Sequence, residues 1–196
     1  MNIRRTAIQR YLGMSSVPLK ETEALIETGL ETVLQAASMR EVHREFELLW
    51  QDGFPVIDGE LLPSRDLAKN LSGCTSAVLF AATLGAEVDR RIQRAQAVSM
   101  AEAAVLQACA AEVTEAFCDE LNQTIREEAA RQGLRCHPRY SPGFGDLTLE
   151  YQKLVFRKLN PNRIGITLND SLLMSPSKSV TAIIGREPED AKGEAE

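Results

Sequence analysis

Three observations predict an α+β domain. Helical and strand-like periodicities follow one another without the regular β-α-β alternation of a doubly wound sheet. Residues 76–84, SAVLFAATL, form a continuous apolar run of strand length, the pattern of a strand buried on both faces. Ser99 and Glu102 stand at capping-box spacing, and the apolar stripe they open continues to Ile125, which calls for one long helix. With 196 residues, 44% of them hydrophobic, the chain has enough material for a sizeable core. We expect one folded unit over residues 1–185. An acidic, disordered tail is expected over residues 186–196, where five acids and two bases carry half of the net charge.

The elements follow in order. Leu25, Ile26, Leu30, Val33 and Leu34 make one helical stripe within residues 20–37. From residue 41 the period changes to two: Val42, Phe46, Leu48 and Trp50 share a face opposite Glu41, Glu45 and Glu47, a half-buried strand interrupted by Arg44. Gly53, Pro55, Asp58, Gly59 and Pro63 mark a turn-rich stretch, and residues 64–71 a short helix stopping before Gly73. The strand at 76–84 ends at Gly85, and a more polar helix spans 87–97. The long helix runs from Ser99 towards Gln132, with Gly133 as its stop. Its stripe is Ala103, Leu106, Ala110, Val113, Phe117, Leu121 and Ile125, and at 1.5 Å per residue it reaches about 50 Å. A loop rich in Pro, Gly and Arg covers 134–146. A short amphipathic helix carries Tyr151, Leu154, Val155 and Leu159 and closes at Asn160-Pro161. Strands over 163–168 and 179–185 flank the last connection.

A net charge of −6 and a pI near 5.1 disfavour nucleic-acid binding, which draws on basic surface. No stretch approaches the ~20 apolar residues needed to span a bilayer, and the N-terminus lacks a secretory apolar run. Cys74, Cys109, Cys118 and Cys136 have no C-x-x-C spacing and read as reduced thiols, so a cytoplasmic location is expected. Two histidines and these scattered cysteines provide no metal-ligand pattern. Cys109 and Cys118 read as core residues, His43 as a solvated strand residue and His137 as a surface-loop residue.

The richest chemistry lies in Cys136-His-Pro-Arg-Tyr-Ser-Pro-Gly-Phe-Gly-Asp146. Pro142-Gly143 suits a type II turn, and Gly143 and Gly145 permit close backbone approach. Arg139 carries a planar fork matched to a carboxylate or phosphate, and a helix N-terminus follows. The segment reads as a site for a small anionic ligand, or as a tight connection whose Arg makes a surface ion pair. No dinucleotide fingerprint is completed, since Thr148 stands where a third Gly belongs. Cys136 beside His137 is a weak nucleophilic pair, because sequence neighbours seldom orient towards one another.

Two blocks resemble the activation domain, which binds S-adenosylmethionine (AdoMet), of cobalamin-dependent methionine synthase. Arg139-Tyr-Ser-Pro-Gly-Phe-Gly-Asp146 is similar to that family's R-x-x-P-G-Y loop. Leu168-Asn-Asp-Ser-Leu-Leu-Met-Ser-Pro-Ser-Lys-Ser-Val180 is similar to its L-T-E-S-x-x-M-x-P-x-x-S-V run. The resemblance implies a single C-shaped α+β domain with a twisted antiparallel sheet and flanking helices. It implies AdoMet bound as methyl donor, with Arg139 pairing its carboxylate and the backbone near Ser141 and Gly143 contacting the ligand. Phe144 stands where the family has Tyr, keeping the ring but not the hydroxyl. Asp146 is a candidate acid without an assigned role, and the family's acidic ligand residue has no assigned counterpart. No catalytic or metal-binding residue is assigned. The implied role is reductive methylation of oxidised cob(II)alamin on a separate methionine synthase or related corrinoid protein. Cobalamin would come from that partner and the electron from a flavodoxin-like donor. The alternative is a regulatory module that binds AdoMet or a corrinoid protein without methyl transfer.

Overall fold

A computed structural model of the chain describes residues 1–14 and 20–189. At its centre stands β4, Ser76–Thr83, every residue of which beyond Ser76 is buried. The strand is flanked on one side by β1, Arg40–Gln51, and on the other by β8, Ser179–Pro188, both antiparallel to it. Its side chains alternate between two cores, which explains the unbroken apolar run. Ala77, Leu79 and Ala81 face α3, Arg65–Asn70, and α6, Gln152–Leu159, with Leu67, Leu71, Leu154 and Val155 against them. Val78, Phe80 and Ala82 face Cys118, Leu121 and Ile125 of α5, Met100–Ala130.

The long helix serves two layers. Its second half covers the sheet, while its first half, through Val105, Leu106, Cys109 and Val113, packs on three helices. These are α1, Arg5–Tyr11; α2, Lys20–Ala36; and α4, Ala86–Gln96. Abundant alanine permits that close approach. At Gly29 of α2 a Cβ would sit 2.8 Å from Val105 Cγ1 and 3.3 Å from Cys109 Sγ, so the crossing has no room for a side chain. Ser99 caps α5 as expected, accepting from the Glu102 N–H at 3.2 Å.

Four local expectations are corrected. The turn-rich stretch contains two hairpins: β1 turns through Asp52-Gly53 into β2, Phe54–Ile57, which turns through Asp58-Gly59 into β3, Glu60–Leu61. Both Asp-Gly pairs have positive φ, the two-residue turn that suits the twist of paired strands. Within the expected loop, Leu134–Cys136 forms β5 on the far edge of β8. The expected strand at 163–168 is mostly a 3₁₀ turn, Pro161–Ile164, because Asn160 and Gly165 take left-handed conformations. Only β6, Thr167–Leu168, remains, paired with β7, Met174–Ser175. Finally, β8 runs to Pro188, with Arg186 and Glu187 buried, so the first residues assigned to the tail belong to the sheet. The rest of that expected tail, residues 190–196, lies outside the described residues.

The result is one open six-stranded sheet in the order β3-β2-β1-β4-β8-β5, all pairs antiparallel, with a small β6-β7 ladder beside it. The α+β class expected from the sequence is the class observed. No helix among the described residues is long and apolar enough to cross a membrane.

Candidate functional site

The site begins with a strand pairing that stops early. β5 pairs with β8 from Cys136–Arg186 to Leu134–Pro188, and one further bridge joins Tyr140 to Ile183. The chain then leaves the sheet through a turn in which the Phe144 N–H donates to Ser141 C=O at 3.2 Å. Gly143 holds a φ of +93° in this turn, as the Pro142-Gly143 pair predicted. The departing loop leaves a cleft of about 450 Å³ along β8, a size suited to a small organic ligand.

Both sequence blocks reach this cleft. From the first come Arg139, Ser141 and Phe144; from the second come Met174, Ser179 and Val180. Gly143, the fourth expected site residue, shapes the turn instead of the wall. Its missing Cβ would lie 2.9 Å from Leu149 Cδ2. Pro142, Phe144, Met174 and Val180 give an apolar lining, and Phe144 remains 65% exposed at the mouth.

The charged end is built by α5. Arg139 donates to Asp119 Oδ1 at 3.0 Å and, through its other terminal nitrogen, to Glu115 Oε2. Glu115 and Asp119 lie four residues apart on one helix face, so a single planar guanidinium bridges both. Asp119 also lies 3.8 Å from Arg4, whose main-chain N–H and Nε donate to buried Glu112 at 2.8 and 3.0 Å. Sequence reading did not place Glu115. Its signal was the Glu-x-x-x-Asp repeat on the long helix, which acquires meaning only once Arg139 is brought beside it.

The floor is polar and almost sealed. Thr181, 2% exposed, donates through its hydroxyl to Gln152 Oε1 at 3.0 Å, and Ser179 Oγ lies 2.9 Å from Thr83 Oγ1. Gln152, on the first turn of α6, lies outside the helix's apolar stripe and carried no signal in the sequence. Ser177, in the second block, docks on α4 by donating its N–H and hydroxyl to Asp89 at 2.6 and 2.7 Å. That block is therefore part anchor and part wall.

Three candidate residues have other duties. Asp146 accepts from the Ser64 hydroxyl and from the Arg65 and Asp66 N–H groups at 2.7 and 3.2 Å. Ser64 and these N–H groups hold its carboxyl below the usual range, making it an anchor for the start of α3. His137 is half-buried rather than a free loop residue: Nδ1 faces Asn70 C=O at 2.5 Å and Nε2 faces Glu187 at 2.6 Å. Both nitrogens face acceptors belonging to the fold, so no imidazole atom is left to activate Cys136. Burial raises the Cys136 thiol and pushes those of Cys74, Cys109 and Cys118 up to about 12, which leaves all four poor nucleophiles. His43 sits beside Glu41 at 2.9 Å. The described residues hold no cluster of three or more His, Cys, Asp or Glu able to bind a metal.

No protein-family model matches the chain, and no curated protein matches its sequence. Among solved structures it is similar to the crystal structure of the MetH reactivation domain bound to AdoHcy. The TM-score is 0.70 at 16% identity, over 95% of this chain and 74% of that one. At that identity the likeness is one of fold.

Proposed function

We propose that the cleft at Arg139 binds AdoMet and that the protein serves as a reactivation module for a corrinoid-dependent methyl transfer. One observation carries this reading. Two sequence blocks that resemble the AdoMet-binding activation domain converge on a single cleft, in a fold shared with a domain bound to AdoHcy.

The residues present fit such a ligand. An α-amino acid end carries both charges, and the cleft sets a cation against an anion in Arg139 and Glu115. Arg139 has five N–H donors, so a carboxylate can bind while part of the fork stays on α5. Glu115 is then placed to take the ammonium group and to favour a neighbouring cation. Apolar side chains at the mouth suit a ring, with Phe144 offering a face. AdoMet, when bound, supplies an electrophilic methyl group for transfer to a reduced corrinoid. The chain's own work is to bind, orient and expose that group beside an open mouth. Cobalamin would be carried by a cytoplasmic partner, a methionine synthase or related corrinoid protein, and the electron would come from a flavodoxin-like donor.

Calorimetry with AdoMet and AdoHcy tests the binding step. Saturable binding that weakens at least tenfold in Arg139→Ala is expected. No heat and no thermal shift at millimolar ligand would overturn the proposal. The exposed Phe144, lacking a hydroxyl, favours a second reading, a regulatory module that binds without methyl transfer. Mixing the protein with a cob(II)alamin-loaded corrinoid protein, reduced flavodoxin and AdoMet separates the two: methylcobalamin accumulates only if the module supports reactivation.

A further inference from the structure

The open edge of β8 has a consequence for ligand recognition. In an antiparallel pair, successive residues alternate which side their N–H and C=O groups face. Leu84 N–H donates to Lys178 C=O and Thr75 N–H to Arg186 C=O, so the even residues of β8 bond towards β4. The odd residues face the other side: Gly185 accepts from His137 N–H at 2.9 Å, and Ile183 exchanges both bonds with Tyr140 at 2.8 Å. The next odd residue is Thr181. Continuing the register, its partner would be residue 142, and residue 142 is proline, with no N–H to give. The chain has by then turned away. The Thr181 main-chain N–H and C=O are left side by side without a partner among the described residues, on a stretch of edge that lines the cleft.

We propose that this main-chain pair reads the base of the bound nucleoside, its N–H donating to a ring nitrogen and its C=O accepting from an exocyclic amino group. The inference rests on the AdoMet reading and adds how the site selects adenine. The open stretch covers only Ser179 to Thr181, bounded by the Tyr140–Ile183 bridge and by the start of the strand, too short for an added peptide strand. A planar base needs only one such pair. Adenine presents it in N1 and the 6-amino group, and a 6-oxo purine presents the reverse order of donor and acceptor. Once the amino-acid end is held at Arg139 and Glu115, the base is not free to turn end for end. The hydroxyl of Thr181, held by buried Gln152 at 3.0 Å, fixes the strand at this residue before the ligand arrives.

The test compares S-adenosylhomocysteine with S-inosylhomocysteine, which differ only at the reading edge, by calorimetry on the full chain. Amide exchange at Thr181 is followed by NMR in the same samples. Inosyl binding at least tenfold weaker is expected, with slowed exchange at Thr181 in the adenosyl complex. Equal affinities, or adenosyl binding that leaves the Thr181 amide unprotected, would overturn the base-reading role while leaving AdoMet binding in place. Failure of both compounds to bind at millimolar concentration would overturn the AdoMet reading itself, and this inference with it.

Discussion

Arg139 shows how one residue acquires meaning from position. The sequence marked it for its planar fork, and the structure gives it Glu115 and Asp119 as partners on α5. Such partly exposed pairs contribute about 1 kcal/mol or less, so Arg139→Ala should leave chemical-denaturation stability nearly unchanged while ligand affinity falls. His43 provides a separate reading in pH. Its pKa is raised, first by the hydrogen bond with Glu41 and then by the charges of Glu41 and Glu128, against an opposing burial effect. A value raised in the folded state means that the stabilisation is fully present below about pH 6.5 and is lost as pH rises through the higher folded value. His43→Gln should flatten this part of the melting-temperature profile, and an unchanged slope would dissociate the effect from His43. The carboxyl of Asp146 behaves oppositely, its contribution disappearing as acid protonates it.

At the scale of elements, caps and periodicity were readable and short pairings were not. Ser99 has the N-cap role its capping-box spacing announced, and the structure gives the same role to Ser64 at the start of α3. Ser64→Ala should cost about 1 kcal/mol in urea unfolding. It should also loosen the loop at Asp146, visible as faster amide exchange at Arg65 and Asp66. Gly29 lay unremarked inside a good amphipathic helix, because only the crossing with α5 gives it a reason. Gly29→Leu should destabilise by about 1–3 kcal/mol through overpacking against Val105 and Cys109, measured by the denaturation midpoint. The hairpins at Asp52-Gly53 and Asp58-Gly59 were legible as turns, but β2 and β3 hold four and two residues, too few to show a period. Likewise α1, seven residues long with Ala7 and Ile8 buried, has no stripe that a sequence window can register.

For the whole molecule, β4 is the hinge of stability, since it joins both cores through alternate side chains. Phe80→Ala should remove about 3–5 kcal/mol, the cost expected for a large buried ring in a core that cannot collapse around the cavity. Ligand binding acts in the other direction. At a concentration one hundred times its Kd, AdoHcy should add about 2.7 kcal/mol and raise the melting temperature by roughly 5–10 °C in a domain of this size. A thermal scan with and without ligand reads this directly. The cleft lies where two cores, one helix and a sheet edge meet, so ligand and fold report on one another.

By itself, the amino-acid sequence determined the α+β class, the doubly buried central strand, the long capped helix and the two blocks that deserved notice. These depend on local spacing, which survives in one dimension. Only the tertiary structure brought the Arg139 loop to Met174 and Val180, set Glu115 opposite Arg139, and turned Asp146 and His137 into anchors. The reason is that a site is made of distances between residues far apart in the chain. Those distances are fixed by the sheet order β3-β2-β1-β4-β8-β5 and by a proline that ends a ladder one residue pair too soon for Thr181 to find a partner.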